Sequence, residues 1–271
     1  NGTVQVVCLN QTVNPATQVA ARPCSPAELA LGYSDFSNQS SFDESWTDLS
    51  PRFVVNYELT DSVMTYVSAA KGFKGGTTSG RDIAALRNLN RIVGQPETNW
   101  SYELGLKADW FDHRLRTNAA VFRNEFEGLQ ASLTTADGGF GRINSGNVRI
   151  EGAEFEVTAV PVEGLELTGG LGLMSSEYTK WVASPATCAA QGYTTTEQYL
   201  NLPLKQSPDW QYQVGANYSY DMGKRGVVSA GANYAAKADY YNNVCATKGV
   251  GILGYEMLSA QLRWEDESGK W

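Results

Sequence analysis

In this chain of 271 residues, four cations, Lys74, Arg81, Arg87 and Arg91, fall within one polar stretch from Lys74 to Pro96. Guanidinium forks match carboxylate or phosphate oxygens in bidentate geometry, so this spacing suits an anionic ligand, and equally an ordinary solvated loop. Glu154 and Glu156 lie two apart. Paired carboxylates can do acid–base work only when they flank a substrate in distinct environments, so charge pairing with Arg or Lys on neighbouring strands is the simpler use. His113 is the single histidine, and one imidazole among turn residues builds neither a triad nor a histidine-rich metal site. Gly72-Phe-Lys-Gly-Gly lacks the Gly-Lys-Ser/Thr ending and the following helix of a phosphate loop. No catalytic residue, metal site or cofactor is therefore expected, and the protein is not expected to be an enzyme. Trp181, Tyr193, Tyr199, Tyr240 and Tyr241 sit in long loops, where aromatic faces could stack on a flat ligand.

The elements that must position these residues are strands. In 210–220, Trp210, Tyr212, Val214, Ala216, Tyr218 and Tyr220 alternate with Gln211, Gln213, Gly215, Asn217 and Ser219, which puts the apolar set on one face of a strand and the polar set on the other. About nine such segments recur, with aromatics near their ends. The connections alternate between short turns near 60, 112, 162, 223 and 268 and long loops near 20, 85, 140, 193 and 247, so all short turns are expected at one end of the sheet. A soluble β-sandwich has no reason to keep that parity, and most segments reach or exceed the roughly 9–11 tilted residues needed to cross a bilayer. The expected fold is all-β, an antiparallel transmembrane β-barrel. About nine of its strands are present, with short periplasmic turns and long extracellular loops.

Composition agrees. The chain is 42% hydrophobic, with 27 Gly, 14 Tyr and 7 Trp, and no run approaches the roughly 18 apolar residues of a membrane helix. A net charge of −8 without a basic cluster argues against a nucleic-acid partner. Cys8 and Cys24 share one irregular segment, while Cys188 and Cys245 fall in two separate loops. A disulfide is expected for each pair in an oxidising compartment, against the alternatives of free thiols or zinc ligands. Asn1-Gly-Thr-Val-Gln has no basic start and apolar core, so the chain reads as mature or as part of something longer.

Three strings go beyond periodicity: SPRFVVNYELTDSVMTYVSAAKGFKGG (Ser50 to Gly76), PETNWSYELGLKADWFDHRLRTNAAVFRNEFEGLQ (Pro96 to Gln130) and NSGNVRIEGAEFEVTAVPVEGLEL (Asn144 to Leu167). They resemble the barrel of TonB-dependent outer-membrane receptors, over about residues 46–271. The resemblance implies a barrel of about 22 strands filled by a plug domain, located in the bacterial outer membrane. It also implies TonB-energised uptake of a scarce ligand such as a ferric siderophore. The implied partners are that small molecule, the TonB complex acting through the plug, outer-membrane lipid and the barrel assembly machinery. The chain holds no plug, no TonB-contacting box and fewer than half the strands. The expected organisation is an extracellular loop region at 1–45 and a partial barrel at 46–271, incomplete at both ends. A passive porin-like channel and a soluble β-rich binding or adhesion module are the competing readings.

Overall fold

The computed structural model describes residues 45–78, 93–134, 140–183, 188–245 and 251–266. Nine long strands form one sheet: β1 (Arg52–Thr60), β2 (Val63–Lys74), β3 (Glu97–Trp110), β4 (Leu115–Thr134), β5 (Phe140–Val162), β6 (Leu165–Trp181), β7 (Trp210–Asp221), β8 (Val227–Lys237) and β9 (Tyr255–Glu265). Each pairs antiparallel with its sequence neighbour, and the sheet is open, with β1 and β9 at its edges.

Register decides which side chains share a face. Val55, Val67, Leu104, Val121, Ala153, Leu173 and Trp210 form one continuous row across seven strands. Val67, Leu104 and Val121 remain 55%, 51% and 52% exposed. A water-soluble sheet buries such a row against a second layer; among the described residues none covers it, as befits a face solvated by lipid. Neighbouring positions carry Glu103, Lys107, Asn118, Glu154, Gln213 and Asn217 on the opposite, lumenal face.

At the short-turn end, residues 61–62, 111–114, 163–164 and 222–226 close the hairpins. Gly164 has φ +80°, and a Cβ there would stand 2.2 Å from the Ser219 carbonyl oxygen, so only glycine permits this close approach. Phe111, Asp112 and His113 all adopt left-handed φ values, uncommon for non-glycine residues. His113 Nδ1 lies 3.3 Å from an Asp109 carboxylate oxygen, so the turn histidine is used locally.

The long strands β4, β5 and β6 have 20, 23 and 17 residues, more than the crossing needs. Their surplus rises on the loop side, and there the outward face changes chemistry. One row above Val121, Ala153 and Leu173 stand Arg123, Glu151 and Ser175, followed by Glu125, Arg149 and Glu177. Arg123 meets Glu151 at 3.3 Å and Arg149 meets Glu177 at 3.0 Å. Outward charges of this density mark the level at which the wall leaves hydrocarbon.

The sequence places the start of β5 at Val148, because Asn144-Ser145-Gly146 reads as a turn. The strand instead begins at Phe140 and absorbs those residues through register shifts around Phe126, Leu129 and Gln130. Asn144 explains why. Its side-chain amide donates to the Gln95 and Gly128 carbonyls, and its oxygen accepts from the Gln95 N–H, so a turn-forming residue here repairs the interrupted ladder. Alternation alone leaves the phase of β4 open, because Val121 and Phe122 are adjacent and both apolar; in the structure Val121 faces outward and Phe122 lies over Gly152 in the lumen.

Candidate functional site at the loop end of the lumen

The loop between β6 and β7 is not a tether but a small folded cap. Helix α1 (Thr196–Leu200) starts at a capping box in which the Thr195 side chain accepts from the Gln198 N–H while the Gln198 side chain returns to the Thr195 N–H. Tyr199, Leu202 and Leu204 point from this segment onto Val148 and Tyr178, lumen-facing residues of β5 and β6, and form the main buried cluster of the described residues. The Cys188–Cys245 disulfide, with Cα atoms 5.4 Å apart, lies in the same cluster and ties this loop to the one between β8 and β9. The pairing expected for these two loop cysteines is therefore present. Cys8 and Cys24 lie outside the described residues.

The aromatic candidates are reassigned by this packing. Trp181 stacks on Tyr199 at a centroid distance of 4.7 Å, and the Tyr199 hydroxyl donates to the Tyr193 carbonyl. Tyr199 is 1% exposed, so its ring is committed to the cap and offers no face to a ligand. Tyr240 and Tyr241 pair with Gly251 and Ile252 in a two-residue ribbon, and Gln206 N–H donates to the Tyr241 carbonyl. Of the five aromatic candidates, Tyr199 is thus taken up by a folded loop, while Trp181, Tyr193, Tyr240 and Tyr241 remain half-buried. Thr195-Thr-Glu-Gln198 is a legible helix start followed by Tyr199, Leu200 and Leu202.

Lys74 is on the lumenal face at the loop end of β2, 3.5 Å from a Glu97 carboxylate oxygen, with its side chain half exposed. That oxygen also accepts the Gln130 N–H. Arg81, Arg87 and Arg91 lie outside the described residues, so the four predicted cations are not seen together. Nearby, Trp46 packs its ring over Gly75 and Gly76. Lys71 Nζ donates to Asp48 at 2.8 Å, a bond that holds the Asp48 carboxyl below its ordinary value.

Further into the lumen, the Tyr66 hydroxyl donates to Glu103, and Lys107 stands over the Tyr66 ring. Glu156 accepts from the Asn118 amide at 3.1 Å. The two glutamates thus share the lumenal face as expected, but the partner seen for Glu156 is an amide rather than a cation. Arg116 meets Asp109 through two hydrogen bonds of 2.8 and 3.2 Å. The concave wall is a bed of donors and acceptors, suited to holding polar material against it.

A lipid-facing antiparallel meander with short turns at one end, long connections at the other and a polar concave face defines a segment of an outer-membrane β-barrel. The TonB dependent receptor-like β-barrel family model matches residues 27–268, and the chain belongs to that family of bacterial outer-membrane receptors. Among similar proteins is the ferric-pyoverdine M114 receptor PbuA of Pseudomonas sp. strain M114. It is 31% identical over 116 residues, covering 43% of this chain and 13% of PbuA. The probable TonB-dependent siderophore receptor PiuA of Acinetobacter baumannii is 25% identical over 200 residues, covering 72% of this chain and 25% of PiuA. The chain thus spans a quarter or less of the length of these two relatives. In fold it resembles the ferric yersiniabactin uptake receptor FyuA from Yersinia pestis, with a TM-score of 0.60 at 17% identity over 80% of this chain and 30% of FyuA.

Proposed function

We propose that this chain is the part of a TonB-energised receptor that walls the import path for a ferric siderophore across the outer membrane. The observation that carries the reading is the match to a receptor-barrel family over residues 27–268, joined to two similar proteins whose names specify siderophores. The wall supports it physically. Its lumenal face is polar and hydrogen-bonding, and a cap with its own core and a disulfide packs against that face at the loop end, an arrangement suited to selecting a ligand. Residues 46–271 are assigned to the barrel and 1–45 to an extracellular loop region. The plug and the TonB-contacting segment belong to parts of the receptor outside these residues, and assembly runs through the barrel assembly machinery. Lys74, Arg81, Arg87 and Arg91 are assigned as contacts to the anionic chelate. Transport by this route breaks and makes no covalent bond in the ligand.

The test uses the full-length receptor in its outer membrane. Uptake of radiolabelled iron presented as ferric pyoverdine should require both the receptor and TonB, and replacing the four cations with glutamine should weaken binding. Uptake that persists without TonB, together with steady ionic conductance of the purified protein in planar bilayers, would instead identify a passive channel.

A further inference from the structure

One lumenal row holds, on consecutive strands β5 to β9, Glu154, Gly172, Gln211, Lys237 and Tyr255. The next row toward the short-turn end places Gly170 beside Gln213. Where these rows cross β6, neither glycine brings a side chain; the Gln211 and Gln213 side chains lie against them, and the wall forms an open groove of about 400 Å³ lined by these amides and Lys237, with Glu154 and Glu156 on its β5 side. Three neighbouring positions thus supply amide and ammonium donors over the two glycines.

Lys237 differs in its partners from four other lumen-facing cations of the described strands. Lys74 lies beside Glu97, Arg116 beside Asp109 and Arg263 beside Glu265. Lys107 stands over a tyrosine ring that is itself bonded to Glu103. Lys237 instead sits 4.7 Å from the ring centroids of both Tyr240 and Tyr255. Asp209 and Asp239 line the hollow on its other side, but neither forms an ion pair with it among the described residues. Two aromatic faces attract and orient an ammonium without neutralising it. A carboxylate partner would instead cancel the charge.

We propose that Lys237, held between Tyr240 and Tyr255 and flanked by Gln211 and Gln213, is a subsite for an anionic oxygen of the imported ligand, such as a free carboxylate or a deprotonated chelating oxygen. The proposal rests on the siderophore reading above. It places the contact on the barrel wall at the upper ends of β7 and β8, beneath the loops, at a residue distinct from the four loop-end cations. The ring clamp limits the entropy lost when Lys237 meets an anion, because the side chain is already held. The groove also gives the ligand a stopping point below the cap.

The test titrates the full-length receptor in detergent with ferric pyoverdine, ferric preacinetobactin and ferric yersiniabactin, ligands named for similar receptors, following quenching of tryptophan fluorescence. Lys237→Gln should raise the Kd of a ligand that the wild type binds by about tenfold, the usual scale of one charge-assisted hydrogen bond, and Lys237→Arg should recover most of it. Heat-modifiable mobility verifies a folded barrel, and Lys237→Met repeats the measurement should the glutamine variant not fold. A Kd within twofold of wild type in the folded neutral variants overturns the subsite and leaves the siderophore reading standing. A wild-type receptor that binds none of the three overturns the siderophore reading and the subsite with it.

Discussion

The membrane wall and the loop cap are built by opposite rules. The wall exposes its apolar residues, as Leu104 and Val121 show, and gains its order from continuous backbone ladders between long strands. The cap buries Tyr199 and Leu202 against Val148 and closes with a disulfide, as a small extracellular domain does. One protein thus uses lipid as the missing half of a core in one region and makes a conventional core in the other. The wall supplies a fixed frame, and the cap is a separately stabilised structure mounted on it.

The largest expected effect separates the two through the cysteines. Cys188→Ser, or its Cys245 counterpart, releases a loop closed over a sequence separation of 57 residues, a constraint that chain entropy puts at about 4 kcal/mol. Limited proteolysis should then cut within the cap while the barrel keeps its heat-modifiable mobility. Loss of the barrel as well would show that the two regions fold as one unit.

Leu104→Arg tests the wall from the other side. An arginine on the lipid face costs up to about 2–4 kcal/mol, falling toward the interfaces, so the yield of folded receptor in outer-membrane fractions should drop. The same charge placed at Ser175, in the outward charged zone, should be tolerated. Leu202→Ala probes the cap core, where removing a buried leucine side chain costs about 2–5 kcal/mol. Hydrogen exchange should quicken in α1 and leave β5 unchanged below its bulge.

Smaller still, Thr195→Ala removes the helix cap at about 1 kcal/mol, visible as faster exchange in the first turn of α1. The smallest effect is pH-dependent. The Asp48 carboxyl is held below its ordinary value by Lys71, so the stabilisation is complete above the unfolded-state pKa and is lost as pH falls through the lowered folded value. Exchange over residues 45–51 should rise on acidification below about pH 4, and Asp48→Asn should abolish that dependence.

The strand count and the inward or outward assignment of β3, β5, β6 and β7 were legible because a period of two is local. Trp100 to Trp110 or Trp210 to Tyr220 declares its two faces without help from any neighbour. The upper ends of β4 and β5 were not legible, since the Asn144 side chain satisfies backbone groups of residues 95 and 128 that lie far off in sequence. Among the site residues, Lys74 was identifiable as a cation near the loop end, but its position beside Glu97 required the register of β2 on β3. Lys237 was passed over entirely, because a single lysine at a strand end gives no local signal.

Alternation, turn chemistry and the parity of short and long connections were thus sufficient, from sequence alone, to determine an outer-membrane barrel wall with its lipid and lumenal faces. Only the tertiary structure decided that the Cys188–Cys245 disulfide lies within the buried cluster of the cap, that Tyr199 belongs to a core, and that Lys237 stands between two tyrosine rings. The physical reason is range. Pleating follows from each residue and its immediate neighbours, whereas burial and pairing depend on which distant strands the register brings alongside.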